Sequence, residues 1–174
     1  MAVSIDRAAA SVQLAGHSNY GQVEPNHLSA PRNGRVYAQL PADDSIEVLE
    51  NGMFVKYDYA NDKVDFTGEG AWMMVFNEEK LYDERKQMHR DFAMVKADAL
   101  DGVITPRVFG MSMGDIFTTN MVAAGSYAKG DILVPGADGV LAAGAKGDGL
   151  AVQVVAETTL PDGQPAVKLQ VIAE

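Results

Sequence analysis

The chain has 174 residues, 47% hydrophobic and 22% charged, an ordinary balance for a globular protein able to bury its own core. Its 14 Lys and Arg face 24 Asp and Glu, a formal charge of −10, which argues against a nucleic-acid partner because phosphate binding rests on cationic side chains. The absence of cysteine removes disulfides and thiolate metal sites; the apolar runs fall far short of the ~20 residues that cross a bilayer, and residues 1–16 lack a basic flank before a greasy segment, so neither a membrane partner nor a signal peptide is expected.

Residues 1–34 include "HSNYGQVEPNHLSAPRNG", rich in Gly, Pro, Ser and Asn, with hydrophobics at neither strand nor helix spacing. The segment reads as an extended N-terminal arm without a core of its own, lying either along the chain's own body or on a neighbouring subunit. Its deletion is expected to leave a folded body. Residues 35–174 read as that body, β-rich, with a division into two small lobes, 35–100 and 101–174, left open.

Within the body, "SIEVLENGMFVKYDY" alternates Ile46 and Val48, then Phe54 and Tyr57, around Asn51-Gly52, which predicts a tight hairpin. "KVDFTGEGAWMMVF" adds Val64 and Phe66, a Gly-rich turn and the apolar strand Trp72 to Phe76. "NEEKLYDERKQMHRDFAM", residues 77–94, predicts a short helix or a surface excursion, with Asn77 as N-cap and acids in the first turn. "KGDILVPGADGVLAAGA" predicts strand, turn and strand. The last segment alternates Val152 and Val154, then Val167, Leu169 and Val171, about a Leu160-Pro161-Asp162-Gly163 turn. The expected fold is mainly β: a small antiparallel β-barrel or sandwich with one short helix or excursion and the arm.

One stretch invites a chemical reading. Val108, Gly110, Ser112 and Met113 spell V-x-G-x-S-M, which resembles the surroundings of the nucleophilic serine in self-cleaving repressors and signal peptidases. That chemistry needs a serine on a turn, a buried neutral lysine as base, and oxyanion donors. Lys129, Lys146 and Lys168 are the lysines downstream. Lys146 lies among small residues that offer little apolar wall to depress an amine pKa, and Lys168, although within a strand, would require an insertion relative to those enzymes. No helix-turn-helix pattern precedes the motif, and the Ala-Gly pairs at Ala15, Ala124 and Ala143 are too common to mark cleavage sites. The simpler expectation is that Gly110, Ser112 and Gly114 turn the chain between strands.

Nothing else assembles into a site. His17, His27 and His89 are scattered, Asp43-Asp44 and Glu78-Glu79 are read as solvated pairs, and Thr105 stands where "GVITPRVFG" would need an aspartate to match a nucleotide-hydrolase barrel. No catalytic residue, metal site or cofactor is expected, and the chain is read as no enzyme.

The run "PRVFGMSMGDIFTTNMV", then "GSYAKGDILVPGADGVLAAG" and a terminal hairpin, resembles the capsid decoration, or cement, proteins of tailed bacteriophages, in which G-D-x-L and D-G-x-L strands precede a final antiparallel pair. "NGMFVKYD" and "EEKLYDERKQMHRDFAM" are in the same style, and the resemblance spans residues 45–174. It implies a virion protein on the capsid exterior, made in the host cytoplasm, that binds the major capsid protein and itself, a trimer being favoured. The alternative within the virion is a head-tail, tube or fibre-base protein. Met73, Met74, Met111 and Met113, among nine methionines, are expected to fill core, with adaptable interface packing as the other use.

Overall fold

The structure is a computed structural model that describes residues 2–5, 21–77, 93–161 and 163–174. The terminal hairpin forms as its alternation requires: β14 (Ala151–Thr159) pairs antiparallel with β15 (Pro165–Ala173), sending Val152, Val154, Val167, Leu169 and Val171 inward. β12 (Ile132–Pro135) and β13 (Leu141–Ala143) make the second expected hairpin and extend this sheet on one side. On the other side β15 pairs with β10 (Ile116–Thr119), and β10 with β2 (Val23–His27), giving the order β13-β12-β14-β15-β10-β2. β2 is the outer strand, largely exposed, and carries Pro25 at its middle.

A second sheet has the order β3-β9-β7-β5-β6, from β3 (Val36–Tyr37), β9 (Val108–Gly110), β7 (Met73–Val75), β5 (Phe54–Asp58) and β6 (Lys63–Asp65). Its central part is covered on both faces. Phe54, Met74 and Phe109 face the first sheet, packing with Phe117, Leu133 and Leu169. Val55, Met73, Val75 and Val108 face the other way, against Leu49, Ile46, Ile104 and Met121. This two-sided burial explains why Met73-Met74-Val75 is apolar at every position rather than at alternate ones. The open edge at β6 is closed by Pro41 to Asp43, through Val64 N–H to the Pro41 carbonyl (2.8 Å) and Asp43 N–H to the Val64 carbonyl (2.9 Å). Two short ribbons complete the molecule: β1 (Val3–Ile5) with β11 (Gly125–Tyr127), and β4 (Val48–Glu50) with β8 (Ala93–Val95). The architecture is mainly β and sandwich-like, with no closed barrel among the described residues.

Three expectations are refined. Asn51-Gly52 does turn the chain, with Gly52 at φ +89° and Met53 N–H bonded to the Glu50 carbonyl at 3.2 Å, but β4 and β5 do not pair. β7 takes the turn's outward groups: Gly52 N–H donates to the Val75 carbonyl (2.8 Å), and Val75 N–H to that of Met53 (2.7 Å). A division into lobes at residue 100 is crossed by the second sheet, where β9 lies between β3 and β7. The described parts of residues 1–34 run along the chain's own body, and Ile5, Val23 and Ala30 are buried in its main core. The body is therefore not expected to keep its full core when residues 1–34 are deleted.

The described α-helix is α1 (Ala30–Asn33), a single turn ended by Gly34 in the left-handed conformation. The helix or excursion expected at 77–94 falls largely on residues 78–92, outside the described residues. Asn77 itself ties loops together: its N–H donates to Asn51 Oδ1 (2.7 Å), and its own Oδ1 accepts from Arg107 N–H (2.9 Å).

Candidate functional site

The connection from β9 to β10 carries Ser112 and is organised by Asp115, which is 2% exposed. Asp115 Oδ2 accepts from Ser112 N–H (2.9 Å), while its backbone N–H donates to the Ser112 carbonyl (2.9 Å). Asp115 Oδ1 accepts from Ser29 N–H (2.8 Å), fastening the segment that enters α1. β15 holds the turn from the other side, with Gly114 N–H bonded to the Val171 carbonyl and Val171 N–H to that of Asp115, both at 2.9 Å.

The half-buried Ser112 hydroxyl accepts a hydrogen bond from Arg35 Nη1 at 3.0 Å. A guanidinium stays protonated at any relevant pH and cannot accept the serine proton. None of the candidate bases is hydrogen-bonded to this oxygen: Lys129 and Lys146 are exposed, and Lys168 lies on β15 opposite Thr118, on the half-buried face. The same Nη1 lies 3.5 Å from Glu174 Oε2, so Arg35 joins the Ser112 turn to the last residue of the chain.

The other sequence candidates stay apart. His27 is exposed on β2, and His17, His89, Glu78, Glu79 and Ala15 lie outside the described residues. Thr105 is exposed, as are Ala124-Gly125 and Ala143-Gly144. Lys63 Nζ lies 3.1 Å from Asp44 and 3.8 Å from Asp43. The Ser45 backbone N–H, then the Ser45 hydroxyl, hold the Asp43 carboxyl below its ordinary pKa, with the Lys63 charge adding to this. Among the described residues no group of three or more His, Asp or Glu is placed to hold a metal ion. Met73, Met74 and Met111 fill core, whereas Met113, beside Ser112, is 67% exposed.

Two neighbouring concavities among the described residues are ones the sequence did not mark. On the face of the second sheet, Tyr37 of β3 and Tyr57 of β5 wall a hollow of about 350 Å³ whose floor is Gly110, Ala71 and Met73. A Cβ on Gly110 would lie 2.8 Å from Arg35 Nε, so the bare glycine lets Arg35 lie close over the strand. Tyr59 joins the wall, its ring 4.9 Å from that of Tyr57 at 74°. The Tyr57 hydroxyl donates to Asp62 Oδ1 (2.9 Å), and that bond raises its pKa, helped by lost hydration. A second hollow of about 460 Å³ shares Arg35 and Ala71 with the first and is lined by Trp72, Glu69, Asp148 and Glu174. Lys56 Nζ stands 5.0 Å over the Trp72 ring. Sequence reasoning could have noted Tyr57 and Tyr59 at strand spacing, but Tyr37 and Gly110 reach the hollow only through long-range pairing.

The described residues include no helix long and apolar enough to cross a membrane. No family model, no curated protein and no solved structure matches the chain.

Proposed function

We propose that this chain is a non-enzymatic virion protein that coats the outside of a tailed-phage head, bridges major capsid protein subunits and stabilises the shell. The observation that carries the reading is the continuity of the segment bearing the resemblance. Residues 125–173 fold as β11 to β15, and β12 to β15 lie together in the first sheet. The G-D-x-L and D-G-x-L stretches form its β12–β13 hairpin, next to the terminal pair. The engagement of the Ser112 hydroxyl by a permanent cation supports a structural over a peptidase role for the turn.

The work in this reading is mechanical. A sheet whose centre is packed on both faces deforms little under load, so a copy spanning two shell subunits adds its contact energy to what must be broken before they separate. Copies clustered around local three-fold positions make a trimer the favoured assembly. The acidic exterior keeps the protein off the packaged genome.

The test is the position and copy number of the chain in purified particles, by cryo-electron microscopy and quantitative mass spectrometry. The expected result is density on the outer face of the head at a fixed ratio to the major capsid protein. Density at a connector, tail tube or fibre base, or absence from the particle, would overturn the assignment.

A further inference from the structure

We propose that the hollow beside Arg35 is a docking groove for an extended, basic segment of a partner protein, its proline or aliphatic residues seated between the tyrosines and its Lys or Arg side chains on nearby carboxylates. Tyr37 is 43% and Tyr59 64% exposed, two large rings left in solvent at the walls of one hollow. The walls stand on β3 and β5, three strand spacings apart, or about 14 Å between backbones. Once the rings project inward, one extended chain fits better than an α-helix of about 10–12 Å diameter. Tyrosines supply broad apolar contact at small entropic cost, and aromatic walls suit the stiff backbone of a proline-containing segment.

The charges select the sign of the ligand. Arg35 is already engaged by Ser112 and Glu174, and the Lys56 ammonium sits over Trp72. Glu69 and Asp148 line the adjoining hollow with no hydrogen bond or ion pair among the described residues. Lys56 keeps its charge over Trp72, so the two adjoining hollows together carry two cations, Arg35 and Lys56, against three carboxylates, Glu69, Asp148 and Glu174. This small negative excess on the Trp72 side favours a basic segment over an acidic one. The groove's own chemistry fixes this partner class, whether the partner belongs to a shell or to another assembly.

The experiment is a titration of the isotope-labelled full chain with a short synthetic peptide of Pro-Leu repeats flanked by Lys and Arg, followed by amide chemical shifts. A matched peptide carrying Glu in place of Lys and Arg is the control. The expected shifts centre on Tyr37, Tyr59, Ala71 and Glu69. Tyr59→Ala, and separately Glu69→Gln with Asp148→Asn, should each weaken binding about fivefold, the carboxylate effect fading at high salt. Because these residues are exposed or half-exposed, the variants should keep the wild-type melting temperature. Equal binding of the acidic peptide, shifts centred elsewhere, or no shifts at all would overturn the proposal. So would a concentration-dependent dimer abolished by Tyr59→Ala, which would make the occupant a second copy of this chain.

Discussion

Replacing Asp115 by alanine tests whether the Ser112 turn is a structural fastening. The carboxylate is 2% exposed and accepts two backbone N–H bonds, from Ser29 at 2.8 Å and Ser112 at 2.9 Å. Alanine removes both acceptors and strands two donors in a partly buried place. A hydrogen bond to a charged acceptor contributes about 1.5–3 kcal/mol, so taking the low end for each gives a loss of about 3 kcal/mol. For a chain of this size that is a fall in melting temperature of roughly 6–12 °C. Asp115→Asn keeps one carbonyl oxygen for one donor and should fall about halfway. The assay is thermal unfolding by circular dichroism, with urea titration to show that the denaturant slope is unchanged. A loss below about 1 kcal/mol for the alanine variant would refute the reasoning, since it would mean water replaces the carboxylate at no cost.

Other outcomes follow from the same contacts. Gly139 sits at φ +76°, and a Cβ there would overlap the Phe54 carbonyl oxygen, so Gly139→Ala should cost about 2–4 kcal/mol in urea unfolding. Ser112→Ala and the wild type should give identical intact bands after incubation at mildly alkaline pH; fragments from the wild type alone would restore the peptidase reading. The Asp43 carboxyl is held low chiefly by the Ser45 backbone N–H, and that of Asp58 by the Asn61 side-chain amide. Their folded pKa values lie below the unfolded ones, so the stabilisation they give is present above about pH 4 and lost as pH falls through the folded values. Asp43→Asn with Asp58→Asn should flatten the acid limb of the stability profile, and an unchanged limb would count against it. Removal of residues 1–34 takes away β1, β2, α1 and the Ser29 donor, so the truncated chain should lose cooperative unfolding in calorimetry.

The parts of the fold written locally in the sequence were legible. Val152 to Val171 alternate about a Pro-Asp-Gly turn, and the chain closes there as a hairpin, as it does about Pro135-Gly136. Asn51-Gly52 shows the limit of such signals: the dipeptide fixes a turn, but whether the flanking strands pair depends on who takes their outward groups, and β7 takes them. Arg35 and Ser112 are 77 positions apart, and Tyr37 meets Gly110 and Tyr57 only after β3, β9, β7 and β5 line up. No periodicity reports that alignment, so the groove was invisible while its individual strands were not. Ser112 drew attention through its neighbours in sequence, whereas the group that contacts its hydroxyl is a guanidinium 77 positions upstream.

The proline in the outermost strand of the larger sheet has a bearing on crowding. An open row of amides and carbonyls recruits another chain whenever identical molecules are held at high local concentration, and from there filaments grow. Pro25 has no amide to donate and lies where the β2–β10 register is irregular, in a strand that is exposed over most of its length, so β2 offers a broken ladder. A strand interrupted in this way is a poorer template for edge-to-edge growth, so crowding alone is less able to turn separate molecules into filaments.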